Sequence, residues 1–331
     1  MQIGKPLRDC ALGALALLAA SLPSASQDVS DYPNRPIRVI VPVGAGAGVD
    51  TAARITTEAA EKHLGQRFII ENKPGAGSRL GAAVAAKAPA DGYTLLFTAP
   101  SPIVVAEHFP QKLDFEPAKD FQPVVVGVLQ PALLVVRPNL GVKSVDEFIA
   151  RAKADPGKIN FGIQGLGGEM HLSLELFKKT AGFTVNMVPY NVASQAIVDL
   201  LADRLDAMFL VVPPIKGHLD GGRLTALATL NGKRIEALPH LPTMAELGRP
   251  EMTGTIWFGY LAPSKVPKPV IDRLAGAFGK IQSDPALVKR VSELGAELAI
   301  IGPADFARLI ERDRARYGKI VADGNLAATQ N

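Results

Sequence analysis

From Pro36 onward, short β-branched runs alternate with longer amphipathic stretches, and this alternation constrains the fold more than any other feature of the chain. Residues 37–43 read as a strand, 51–64 as a helix, 67–71 as a strand, 78–88 as a helix and 93–98 as a strand. Asp91 and Gly92 supply the turn before the last of these. Strands separated by helices require crossover connections, which are right-handed and place helices on the faces of a parallel sheet. The rhythm pauses at 121–129 and then restarts. Strands are expected at 133–137, 159–161, 185–188, 207–211 and 224–228, with helices at 144–154, 169–181 and 194–202. A final apolar strand at 255–262 precedes helical stretches at 269–283, 285–294 and 304–322.

The chain thus reads as α/β with two lobes, each a mostly parallel sheet flanked by helices. If it leaves the first lobe near residue 130 and returns near residue 253, lobe one comprises 32–129 plus 253–331 and lobe two 130–252. A single doubly wound domain is the competing architecture. The length of 331 residues counts against it, because single cores rarely grow beyond about 250–300 residues.

The opening residues read as an export signal. Lys5 and Arg8 form a basic start, residues 11–20 are apolar, and Ser24, Ala25 and Ser26 are small enough for a cleavage site before Gln27. Residues 1–26 are therefore assigned to a signal peptide, and the rest is expected outside the cytoplasm. The apolar run is shorter than the roughly 20 residues a bilayer span needs. The single cysteine, Cys10, lies inside this segment, so the mature chain is expected to have neither disulfide nor thiolate site. Arg8 and Asp9 precede it, which disfavours a lipid anchor there. Losing Lys5, Arg8 and Asp9 takes the formal charge from +4 to +3. That charge is spread along the chain without the dense basic clusters of a nucleic-acid binder.

Four glycine- or serine-bearing loops follow predicted strands. The first, Val43, Gly44, Ala45, Gly46, Ala47, leads toward a helix that Asp50 or Thr51 can cap, and small residues with exposed N–H groups suit an anion. Its spacing is G-x-G-x-G, which completes neither a dinucleotide fingerprint nor a phosphate loop, and a tight structural turn is the alternative. A second runs from Lys73 to Ser78. A third holds Ala99 and Ser101. The fourth, Gln164, Gly165, Leu166, Gly167, Gly168, opens the helix that carries His171. Carboxyl ends of parallel strands share one sheet edge, so such loops can converge on a crevice.

Catalytic groupings are not evident. Glu169, His171 and Glu175 share a predicted helix but lack the paired-histidine zinc pattern, and no serine sits in a G-x-S-x-G elbow. No metal, cofactor or enzymatic activity is therefore expected.

The loops and their neighbours resemble the Bug-type substrate-binding receptors of tripartite tricarboxylate transporters. The matching pieces are 32–50 (YPNRPIRVIVPVGAGAGVD), 64–80 (LGQRFIIENKPGAGSRL), 91–96 (DGYTLL), 188–190 (VPY), 241–246 (LPTMAE) and 257–263 (WFGYLAP), in the family's order. The resemblance implies a type II-like periplasmic binding protein, a monomer with a hinge and an interlobe cleft. Such a receptor captures a small carboxylate through main-chain N–H groups, hydroxyls and waters, and serves membrane transporter subunits. Carried over by position, Val43 to Ala47 with Asp50, Ala99 with Ser101, and Gln164, Gly165, Gly167, Gly168 with His171 would border the pocket. Where family members often carry an acid suited to an ammonium group, this chain has Leu210, which points to an aromatic or aliphatic mono- or dicarboxylate rather than an amino acid. Val49 replaces a common threonine, and Gly44 and Ala45 replace frequent prolines. An extracytoplasmic hydrolase and a ligand sensor for a membrane signalling partner are the alternatives.

Overall fold

The computed structural model describes residues 31–190 and 192–327. The expected signal peptide and its cleavage site lie outside the described residues. The unit that begins at Pro33 carries the whole fold treated below.

In chain order the elements are β1 (Ile37–Val41), α1 (Gly48–Leu64), β2 (Phe68–Asn72), α2 (Arg79–Ala86), β3 (Thr94–Thr98), a short α3 (Pro117–Asp120) and β4 (Phe121–Gln130). Next come β5 (Ala132–Val136), α4 (Val145–Ala154), β6 (Asn160–Gln164), α5 (Glu169–Ala181), β7 (Asn186–Tyr190), α6 (Ala193–Leu201), β8 (Ala207–Val211), α7 (Lys216–Asp220) and β9 (Thr225–Thr229). β10 (Ile256–Pro263), α8 (Lys268–Gly279), α9 (Pro285–Glu293), β11 (Glu297–Ile301) and α10 (Pro303–Asp323) complete the chain.

These strands form a six-stranded sheet, β11-β4-β10-β3-β1-β2, and a five-stranded sheet, β7-β6-β8-β5-β9. The two-sheet α/β architecture is the expected one, but the strand directions are mixed. β1 pairs in parallel with β2 and β3, and β6 with β7 and β8, because a helix separates each of these strands from the next. β10 runs antiparallel to β3 and β4, and β5 antiparallel to β8 and β9. The chain passes between the sheets from Gln130 to Ala132 and again between β9 and β10. The pause at 121–129 is in fact β4, a strand inside the first sheet. Pro123 and Gly127 disguise it as a break, and β10 meets it with two register shifts.

Apolar burial explains why these elements stay together. Trp257 of β10 is fully buried against Phe306 of α10, and its indole Nε1 donates to the buried Asp313 at 3.0 Å, so the one polar atom of the ring is satisfied. Phe97, Tyr260 and Phe278 pack in sequence as mutually tilted rings, with centroid separations of 4.3 Å at each step. In the five-stranded sheet, Phe148, Phe161, Phe177, Phe183 and Phe209 share one face beneath α4 and α5. Met208, Leu210 and Val212 pack on the opposite face with Ile197 and Leu200 of α6. Leu172 of α5 is buried in the cluster of the first sheet, together with Ile103, Val104, Phe306 and Tyr317. This residue ties the start of α5 to the turn that follows β3.

Candidate functional site

The parallel strands place their carboxyl ends on a common edge of each sheet, and the predicted loops lie there. Val43 to Ala47 follow β1, Ala99 and Ser101 follow β3, and Gln164 to Gly168 follow β6. In the first loop Val43 and Ala47 are half-buried, while Gly44, Ala45 and Gly46 are exposed. Helix α1 starts at Gly48, earlier than the sequence signals indicate, and its N-cap is Ala47, which has no capping side chain. The N–H groups of Gly48, Val49 and Asp50 thus lack intrahelical acceptors and stand at the positive end of a 17-residue helix.

Asp50 does not cap α1 from its start as anticipated. Only 2% exposed, it reaches back to the loop, where Oδ2 accepts the Gly46 N–H at 2.8 Å. Arg54 donates Nε to Oδ2 and Nη2 to Oδ1, both at 3.0 Å, and Asn72 donates Nδ2 to Oδ1 at 2.9 Å. Burial alone would raise the Asp50 carboxyl, but the bonds from Arg54, Gly46 and Asn72 outweigh it and hold it below the usual range. The carboxylate is saturated, with its charge matched by Arg54. An ammonium group would find no vacant oxygen on it.

The second loop and the helix it opens lie against the root of the first. The second contains four successive positive-φ residues, Gly75, Ala76, Gly77 and Ser78. Gly81 in α2 lies so close beneath the first loop that a Cβ there would come within 2.7 Å of Pro42 Cβ and 2.8 Å of the Lys73 carbonyl oxygen. Ala99 and Ser101 are half-buried, and Ser101 begins a single π-helical turn, Ser101–Val105.

In the other sheet, Gln164, Gly165 and Leu166 are exposed, and Gly167 and Gly168 are half-buried. Gly165 and Gly167 adopt φ of 72° and 75°, a conformation that a side chain would strain. Gly168 is the N-cap of α5 and has no capping side chain, so the N–H groups of Glu169, Met170 and His171 lack intrahelical acceptors. His171 is 4% exposed, and its Nδ1 accepts the Gly167 N–H at 3.1 Å. That bond places the ring proton on Nε2, which faces Glu175 Oε1 at 3.6 Å. Glu175 also accepts from Lys178 Nζ at 2.7 Å. His171 therefore shapes the loop. Glu169, at the first position of α5, is half-buried, and burial pushes its carboxyl above the usual range. It helps to raise the Tyr317 hydroxyl, after the burial of that ring.

Leu210 stands apart from these groups. It is 3% exposed within the apolar cluster beside α6, and Val211 is the half-buried residue at the strand end. Its side chain supplies packing. Arg54 and Asn72 escaped the sequence reading. The Asp50/Arg54 spacing of four residues was a visible clue to the first, whereas the Asn72 contact crosses from one strand to its neighbour and has no local signature. Among the described residues no His/Cys/Asp/Glu group could hold a metal, and no helix is long and apolar enough to cross a membrane. Cavities of about 470 and 500 Å³ lie away from these loops, one beside Asn231, Ser292 and Gly295 and the other between α5 and α10.

Comparison with known proteins bears on the family and the fold. Residues 52–326 match the tripartite tricarboxylate transporter family receptor. Protein BugT of Bordetella pertussis is 34% identical over 293 residues, covering 88% of this chain and 90% of that protein. The structure of R. palustris Rpa4515 with adipate superposes with a TM-score of 0.80 at 32% identity, covering 89% of this chain and 99% of that one. MatC from Rhodopseudomonas palustris with bound malate gives a TM-score of 0.75 at 28% identity, with 88% and 100% covered.

Proposed function

The chain belongs to the tripartite tricarboxylate transporter receptor family, and from that membership we propose that it is an exported solute receptor that captures a small carboxylate and does no chemistry on it. One observation carries the reading at residue level. Two helices, α1 and α5, begin without side-chain caps directly after glycine-rich loops on the carboxyl edges of their sheets. Such starts hold an anion by N–H groups and helix dipole without a fixed cation.

Several features favour an acid with an apolar body over an amino acid. The Asp50 carboxylate is fully engaged by Arg54, Gly46 and Asn72. At the end of β8 the half-buried residue is Val211, which offers no acid to receive an ammonium. Burial raises the Glu169 carboxyl beside the α5 start, which weakens its tendency to carry a charge that would repel an anion. The adipate and malate of the two related structures are both small carboxylates without an amino group.

The two sheets serve as lobes, 32–129 with 253–331 and 130–252, that close on the ligand about the crossings at Gln130–Ala132 and between β9 and β10. Ligand bridging both loops stabilises the closed arrangement by its difference in affinity for the two states. A membrane transporter then recognises that arrangement. Calorimetric titration with adipate, malate, benzoate and aspartate tests the proposal. We expect binding of one or more of the first three and none of aspartate. Tight aspartate binding with no response to the others would overturn the ligand class.

A further inference from the structure

Asn72 is the last residue of β2, paired in register with Val41 of β1. Both protons of its amide are in use. Nδ2 donates to the Val43 carbonyl at 3.0 Å and to Asp50 Oδ1 at 2.9 Å, while Oδ1 accepts from Arg54 Nη2 at 3.2 Å. The adjoining Lys73 N–H donates to the Val41 carbonyl at 2.9 Å. With Gly81 pressed beneath Pro42, the loop is held at its root, at Val43 and at Asp50 by a segment that contributes nothing to the loop itself.

We propose that Asn72 is a positioning residue for ligand capture: by holding the Val43 carbonyl and the Asp50 carboxylate together, it fixes Gly44–Ala47 in the shape that presents the α1 N–H groups. The assignment rests on the carboxylate reading above. Only a carboxamide fits the geometry, since it offers two donors to two oxygens and an acceptor to the guanidinium. Aspartate at this position would have no donor and would set a second carboxylate against Asp50. Leucine would fill the volume with neither donor nor acceptor. Without the clip the loop samples other shapes, and apparent affinity falls by the fraction of time spent in the competent one.

Asn72→Asp and Asn72→Leu decide the matter through two readouts. The first needs no ligand: hydrogen exchange of the Gly46 amide, with the Gly167 amide of the other loop as an internal control. The second is calorimetry with adipate. We expect Gly46 exchange to accelerate while Gly167 is unchanged, and adipate to bind about tenfold more weakly, as for a loop that is competent a tenth of the time. Unchanged Gly46 exchange in both variants overturns the assignment. So does equal acceleration at Gly46 and Gly167, because Asn72 would then support the fold as a whole. If the unmodified protein fails to bind adipate, that result bears on the ligand class alone, and the exchange readout still decides the role of Asn72.

Discussion

Both glycine-rich loops lead from a parallel strand into an uncapped helix, and in both a buried side chain reaches back four residues to a glycine N–H. The chemistry of that side chain differs. In the first loop it is a carboxylate that also takes two bonds from Arg54 and one from Asn72, so charge and geometry lock the loop from several directions. In the second it is an imidazole with a single bond to the loop, and its other nitrogen faces a carboxylate shared with Lys178. The first loop is consequently built in advance. The second, with two positive-φ glycines around an exposed Leu166, has fewer side-chain tethers; its other ties are main-chain bonds from the Gly165 N–H to the Tyr190 carbonyl and from the Gly168 N–H to the Gly165 carbonyl, and we expect it to adapt more readily to what it meets.

Removing each tether in turn measures the difference. Asp50→Ala strands the Gly46 N–H, the Asn72 amide and a guanidinium at once. It should cost about 2–3 kcal/mol, toward the low end for a broken charged network because Arg54 is half-exposed and can rehydrate. A lower urea midpoint at unchanged m-value would show it. His171→Phe keeps a ring of similar bulk but removes one acceptor, so about 1–2 kcal/mol is expected. Its effect on adipate binding should nevertheless rival that of Asp50→Ala, because the loss falls on a loop with few other restraints. If the two substitutions cost equal stability, or if His171→Phe leaves adipate binding intact, the distinction between a built loop and an adaptable one collapses.

The contrast was only partly legible in the amino-acid order. Strand and helix alternation located the parallel strands, their helices and therefore the loop edges, because apolar periodicity is a local signal. It passed over β4, whose apolar run is interrupted by Pro123 and Gly127, and did not resolve β11, a short strand of five residues between α9 and α10. The start of α1 shifted for a related reason. Asp50 resembles a cap in sequence, but its side chain is drawn to a strand neighbour and to Arg54, and Ala47 takes the terminal position. Leu210 shows the limit of strand reading. Four of the five residues of β8 are buried, so alternation cannot say which face each side chain occupies. The loop compositions could be read from the chain, whereas the partners that shape the loops depend on tertiary neighbours.

Acid–base linkage gives the smallest and most discriminating test, since the acids at the two helix starts are displaced in opposite directions. Asp50 lies below its ordinary value of 3.8, so its native bonds stabilise the fold above that pH and are lost as pH falls through the lower folded value. Glu169 lies above its ordinary 4.5, chiefly from burial, so the native state holds its proton more tightly than the unfolded chain. Its linkage therefore lowers stability as pH rises from 4.5 through the folded value. Urea midpoints measured from pH 3 to pH 7 separate the two. Glu169→Gln should remove part of the decline above pH 4.5 and leave the acid limb as it was, whereas Asp50→Asn should flatten only the acid limb. If Glu169→Gln alters the acid limb instead, burial does not raise the carboxyl at the start of α5, and the opposite displacement of the two acids is lost.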